Sequence, residues 1–301
     1  MMTSFDQIRE EAKSKGKKRV VIAPVPTEMD FSALSAALGL GLVSPVVIGA
    51  SDAVSAWIKG QGKKASEIEI IEEPDSTKAL GMAIDMLKRG GADILMRGAM
   101  DPNRFLETVL DKGKGLLKER LASLVSVFDP PAVERVTMVT DTYINSFPSV
   151  VEKITITENV IKLAGVLGFT SPKIAALSAI EQVNPAIPST LDAAILSKMA
   201  ERGQFGNVIL EGPLDIDCAV NRRAATRKGV HSAVTGQGDI YLVPNVEAGY
   251  LMAQLSVFIG STPMACALMG VSHPVVLNLP FVPLENRLTE IELAILICGR
   301  L

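Results

Sequence analysis

Cysteine, histidine and aromatic residues are scarce in these 301 residues, and each scarcity removes a class of function. The three cysteines, Cys218, Cys266 and Cys298, lack the paired spacing of a zinc site and the even count of a disulfide framework. Reduced thiols in a cytoplasmic protein are the expectation. The two histidines, His231 and His273, stand too far apart in sequence to suggest a paired arrangement. Aromatics at 4% argue against a surface on which bases stack. Lysine and arginine are scattered and the formal net charge is −3, so there is no electrostatic footprint for nucleic acid or an anionic membrane. No apolar run approaches the about 20 residues of a membrane span. Residues 1–18 are polar and charged, unlike a signal peptide. Repeats and low-complexity tracts are also missing.

What is present is a hydrophobic content of 48%, enough for a large core in one large or two moderate domains. Short apolar runs at 19–23, 45–49, 68–71 and 94–96 alternate with amphipathic segments of helical length, the pattern of a mostly parallel sheet covered by helices. Thr27, Ser51 and Ser76 read as helix caps. Runs at 124–128 and 135–140 read as neighbouring strands, parted by Asp129-Pro130-Pro131, where two prolines end a ladder. Further strands are expected at 173–179, 208–211, 240–243 and 275–279, with a long helix over 150–167 and a last one over 284–298.

The richest stretch is 207–250. Val208-Ile-Leu-Glu-Gly-Pro-Leu-Asp-Ile-Asp217 and Asp239-Ile-Tyr-Leu-Val-Pro-Asn-Val-Glu-Ala-Gly-Tyr250 each carry a buried strand into a polar turn that opens a helix. Strand ends of this kind are where ligands sit in open α/β sheets, and helix N-termini there favour anions. Between them, Ser232, Thr235 and Gly236 form a polar loop able to hold phosphate through backbone amides. Asp141 and Asn145 follow the strand ending at Thr140, where Asp141 serves either as a turn cap or as a functional carboxylate. Asp215, Asp217 and Glu247 lie in first helical turns, where acids are stabilised by the helix N-terminus. No strand is followed by Gly-X-Gly-X-X-Gly with a downstream acid, which disfavours a dinucleotide-dependent dehydrogenase, and no acidic metal cluster is apparent.

This block resembles the signature region of the phosphate acetyl- and butyryltransferases, the phosphotransacylases, most closely the butyryl branch. The segments 92–98, 111–116, Thr140-Asp-Thr-Tyr-Ile-Asn145, 183–185, 191–194 and 198–203 agree with it. The resemblance implies two α/β/α lobes similar to isocitrate/isopropylmalate dehydrogenase with a cleft between them. It assigns residues 1–145 plus 280–301 to the first lobe and 146–279 to the second. It implies a homo-oligomeric cytoplasmic enzyme whose partners are small molecules, acyl-CoA and phosphate. CoA or acyl-CoA is then a substrate, and no cofactor or metal is bound permanently.

The chemistry implied is transfer of a short-chain acyl group between CoA and phosphate. It needs cationic or amide donors for the phosphate and a donor for the oxyanion. Here Asn278, Leu279 and Pro280 stand where the family has Thr-Ser-Arg, Glu107 replaces an arginine, Asn245 an aspartate and Tyr250 an asparagine. On the acyltransferase reading, Asn278, Arg97 and Asp141 are the catalytic candidates, with Arg104, Asn145, Asp217, Ser232, Thr235, Gly236 and Glu247 binding substrate. The alternative is a catalytically degenerate paralogue that binds CoA or acyl-CoA without transfer, or a partner subunit.

Overall fold

The computed structural model describes residues 1–49, 52–131 and 133–301. Two compact units emerge. The first comprises Phe5–Glu119 and Ala265–Leu301, and the second Met1–Ser4 and Arg120–Met264.

The first unit opens with α1 (Phe5–Ser14), β1 (Lys18–Ala23), α2 (Glu28–Gly39), β2 (Val43–Ile48) and α3 (Asp52–Gly60). It continues with β3 (Glu69–Ile71), α4 (Ser76–Lys88), β4 (Ile94–Arg97) and α5 (Pro102–Val109). Residues 20–23 of β1 and all of β4 are buried, as expected of parallel strands covered on both faces. Thr27 caps α2 as expected, in a box where Thr27 Oγ1 accepts from Asp30 N and the Asp30 carboxylate accepts from Thr27 N. The cap of α4 is Asp75, not Ser76, because its carboxylate accepts from both Thr77 N and Lys78 N and so takes two of the orphan donors. The cap expected at Ser51 lies outside the described residues.

The second unit holds β5 (Ser123–Phe128), β6 (Thr137–Thr140), α6 (Val150–Val166), β7 (Lys173–Leu177), α7 (Pro188–Glu201) and β8 (Ile209–Leu214). Then follow α8 (Ile216–Val220), α9 (Arg222–Arg227), β9 (Ile240–Leu242), α10 (Val246–Gln254), a π-helical turn at Leu255–Ile259 and β10 (Met264–Met269). The chain ends in the first unit with β11 (Val275–Val276) and α11 (Arg287–Ile297).

The first sheet has the order β11-β4-β1-β2-β3, with each neighbouring pair parallel. Within the second unit the strands lie in the order β5-β6-β9-β7-β8. Only β5 against β6 is antiparallel among these five, matching the proline turn between them. Pro213 extends β8 past the turn expected at residue 212, which the edge position of β8 permits.

The division between units differs from the boundaries expected at 145 and 280. Residues 120–145 belong with 146–264 because β6 pairs with β9, and 265–279 return to the first unit because β11 pairs with β4.

Candidate functional site

Strand order in the first sheet reverses between β1, which leads on to β2 and β3, and β4, which adjoins β11. Ligands in such sheets lie beyond the carboxyl ends of the strands at this switch point. The turns there are pressed together: a Cβ added to Gly98 would stand 2.0 Å from the Pro24 carbonyl oxygen.

Arg97, at the end of β4, is buried and its guanidinium is engaged with backbone. Nε donates to Leu277 O at 2.5 Å, Nη2 to Asn278 O at 2.5 Å, and Nη1 to Gly98 O at 3.2 Å and to Met100 O. Asn278 answers in kind, its Nδ2 donating to Arg97 O at 3.0 Å and to Asp30 Oδ1 at 2.8 Å. Its φ of 49° lies in the left-handed region, which asparagine tolerates better than most residues. The fold therefore brings Arg97 and Asn278 together, with both amide protons of Asn278 already donated.

Sequence reasoning missed the charges behind them. Asp30 also accepts from Arg287 Nη1 at 3.3 Å, and both side chains are buried. Glu290 is fully buried, its Oε1 accepting from Cys266 N at 3.2 Å. Burial raises its carboxyl to about 7, against the opposing pull of Arg287. Asn278 Oδ1, Arg287 Nε and Glu290 Oε2 are buried with no hydrogen-bond partner among the described residues. The available signal was charge at apolar-facing positions of the otherwise hydrophobic segment Leu288-Thr-Glu-Ile-Glu-Leu-Ala294.

Where the resemblance implies Ser-Arg, Leu279 is fully buried and Pro280 exposed. Arg104 and Glu107 lie three residues apart on α5, both exposed, with Arg104 Nη2 donating to Thr77 Oγ1 at 2.8 Å. That spacing puts the two charges on one helix face.

In the second unit β6, β9, β7 and β8 run parallel, so the turns after them share one edge of the sheet. Asp141 follows β6. Its Oδ1 accepts from Tyr143 N, Ile144 N and Leu124 N at 2.9, 3.0 and 3.2 Å, and its Oδ2 from Asn145 N at 3.0 Å and from the Asn145 amide. Burial nonetheless raises the Asp141 carboxyl above its usual range, with these donors opposing. Asn145 is held beside it and also donates to Ala122 O at 2.8 Å.

The start of α10 presses against this turn. Gly249 has no room for a side chain, since a Cβ would lie 2.4 Å from Asp141 O, and Val246 N donates to Ser146 O at 3.1 Å. Glu247, in the first turn of α10, is exposed, and no hydrogen bond ties its side chain to the Asp141 turn among the described residues. Asn245 caps α10 by accepting from Ala248 N at 2.9 Å, and Tyr250 packs its ring 6.4 Å from that of Tyr143.

Asp217, after β8, pairs with Lys228 at 2.9 Å, and the same ammonium meets Glu181 at 2.6 Å and Asp215. Ligand atoms of Glu181, Asp215, Asp217 and Cys218 lie within 4.8 Å of one another, a cluster that no sequence spacing revealed. Lys228 already supplies positive charge there. The Cys218 thiol is pushed up to about 12 by burial and by the adjacent Asp217 and Glu181 carboxylates, which keeps it protonated.

The Ser232–Gly236 loop enters β9 from the opposite edge. Ser232 Oγ accepts from Val234 N at 3.1 Å, Thr235 Oγ1 donates to Ser232 O at 2.9 Å, and Gly236 N donates to Cys218 O and Ala219 O. The amides of Ala233 and Thr235 find no acceptor among the described residues. The candidates thus fall into separate groups: Arg97 with Asn278, Asp141 with Asn145, Asp217 with Lys228, the loop with itself, and Glu247 exposed on α10.

Comparison with known proteins shows the family of the chain. The family profile described as phosphate acetyl/butaryl transferase matches residues 50–278. The phosphate butyryltransferase of Clostridium acetobutylicum is 36% identical over 299 residues, 99% of each chain. The phosphate acetyltransferase of Thermotoga maritima is 31% identical over 274 residues, 91% of this chain and 92% of the relative. Among solved structures, a branched-chain phosphotransacylase from Enterococcus faecalis V583 superposes with a TM-score of 0.81 at 23% identity, covering 93% of this chain and 98% of that one. A match over most of the chain to the profile, and over almost all of it to the butyryltransferase, means that this chain belongs to the phosphate acetyl/butaryl transferase family.

Proposed function

We propose that the protein interconverts a short-chain acyl-CoA plus phosphate with an acyl phosphate plus CoA. The observation that carries this reading is end-to-end similarity to relatives named for that transfer. A phosphate oxygen attacks the thioester carbonyl, the carbon–sulfur bond breaks, and the thiolate leaves and takes up a proton.

The hydrogen bonding supports positioning roles for Arg97, Asn278 and Asp141. Arg97 and Asn278 fix the turn after β11 against the turn after β4, and Asp141 fixes its own turn against the first turn of α10. Such rigid support is what lets neighbouring groups meet a developing charge without reorganising. For substrate binding we propose Arg104, whose guanidinium is exposed at the start of α5, as a partner for phosphate. In the second unit the proposal assigns Asn145, Asp217, Glu247 and the Ser232, Thr235 and Gly236 loop, whose spare amides suit an anionic oxygen. CoA is consumed and released as a substrate.

The finer architecture, isocitrate/isopropylmalate dehydrogenase-like lobes, is part of this proposal, supported by the mostly parallel strands of both units. So are cytoplasmic location and a homo-oligomeric state. No helix among the described residues is long and apolar enough to cross a membrane. Light scattering on the purified protein tests the oligomer.

The reaction itself is tested by following thiol release from acetyl-CoA and butyryl-CoA with and without phosphate. Release that depends on phosphate is expected. Its absence at micromolar enzyme, with CoA still bound, would favour the non-transferring paralogue.

A further inference from the structure

The second unit contains a cavity of about 260 Å³ that none of the residues proposed for the reaction explains, apart from Gly236 at its wall. It lies beside the start of β6, away from the edge that carries Asp141. Its walls include Phe128, Val139, Val220 and Met252, so most of any occupant would meet carbon. Polar groups come in at a few points, from Arg135, Thr137 and Tyr241 among others.

Three observations define what could fill it. Among the described residues Arg135 is the only charged one lining the cavity; its counter-ion Asp239, 3.0 Å from Nε, does not line it. That pairing is incomplete, because Arg135 Nε sits close to the carboxylate without an aligned hydrogen bond and Nη2 reaches Gly238 O only at 3.4 Å. The Tyr241 hydroxyl, on a largely buried ring held beside Gly238, has no hydrogen-bond partner among the described residues. A guanidinium with donors to spare and a free hydroxyl at the wall of an apolar cavity suit one anionic head with a hydrocarbon tail. The volume falls just below the range of about 300–1,000 Å³ typical of drug-sized ligands. It is too small for a nucleotide and right for a chain of a few carbons.

We propose that this cavity is a second binding site, specific for a short aliphatic monocarboxylate whose carboxylate is held by Arg135 and Tyr241 and whose tail packs on Val139, Val220 and Met252. The site binds the free acid and performs no chemistry on it. It is independent of the acyl-transfer reading, because binding is measured without turnover.

Titration calorimetry of the intact protein with hexanoate, in the presence of excess CoA, is the test. Saturable binding is expected, weakened about tenfold or more by Arg135→Met, the scale of one charge-assisted hydrogen bond. Tyr241→Phe should weaken it by a smaller factor, and Ser256→Phe, which fills the cavity from the π-helical turn after α10, should abolish it. Hexanol, with the same tail and no charge, should bind more weakly than hexanoate to the wild type and equally to Arg135→Met. Absence of saturable hexanoate binding, or binding that neither Arg135→Met nor Ser256→Phe alters, overturns the proposal. Should one variant fail to fold, the other together with the hexanol comparison still decides the matter.

Discussion

The amide of Asn278 donates to Asp30 Oδ1 across 2.8 Å although 248 positions separate the two residues. Asp30 belongs to the capping box of α2 and Asn278 to the turn after β11, so one carboxylate ties a helix start to the turn that the resemblance marks for chemistry. The same oxygen faces Arg287. Asp30→Ala removes the partner of a buried cation and of a buried amide together. Breaking one side of a buried pair costs about 3–5 kcal/mol, and urea unfolding should show a loss of that size. Asp30→Asn, which can still accept from Asn278, should lose less.

Glu290 sets a pH dependence. Its folded-state value of about 7 lies above the ordinary 4.5, so the native state holds its proton more tightly than the unfolded chain does. The stability from this group is present in full below the unfolded value and is lost as pH rises through about 7. Melting temperature should therefore fall across that window. In Glu290→Gln the fall should be shallower, and an unchanged slope would show that the carboxyl is not the titrating group.

These charges also mark where sequence reading stopped. The alternation of strands and helices was legible because parallel strands buried on both faces read as unbroken apolar runs. Thr27 and the turn at Asp129-Pro130-Pro131 were legible because capping and proline geometry are local. The strand at Met264–Met269 was not, since six buried residues in a row carry no period that separates strand from helix. The partners of Arg97 were invisible for another reason. Its two acceptors at Leu277 and Asn278 are 180 and 181 residues away, and only the pairing of β4 with β11 brings them near. Asp141 had two open readings, and the carboxylate does accept from the amides of its own turn while also sitting against α10.

Asp141→Ala should expose the cost of that turn. Several amides that now meet the carboxylate would be left buried or half-buried without a partner, at about 1–3 kcal/mol for each that water cannot reach. Thermal unfolding should record a loss of at least about 2 kcal/mol. Amide exchange should rise first at Tyr143, Ile144 and Asn145.

Two glycines give a matched contrast. At Gly249 a methyl group would meet the Asp141 carbonyl oxygen at 2.4 Å, so Gly249→Ala must push α10 off the turn and should destabilise markedly. At Gly165, in the exposed face of α6, an added Cβ meets nothing within 4 Å. Gly165→Ala should stabilise by about 0.5–1 kcal/mol through better helix propensity. Equal effects at both positions would contradict the close packing of α10 on the Asp141 turn.

Phosphorus NMR of the protein with butyryl-CoA and inorganic phosphate addresses acyl transfer most directly. A new acyl phosphate resonance should grow in step with free CoA and reverse when CoA is added in excess. CoA release without that resonance would mean hydrolysis, and a silent spectrum from folded, CoA-binding protein would mean that the inherited scaffold no longer transfers the acyl group.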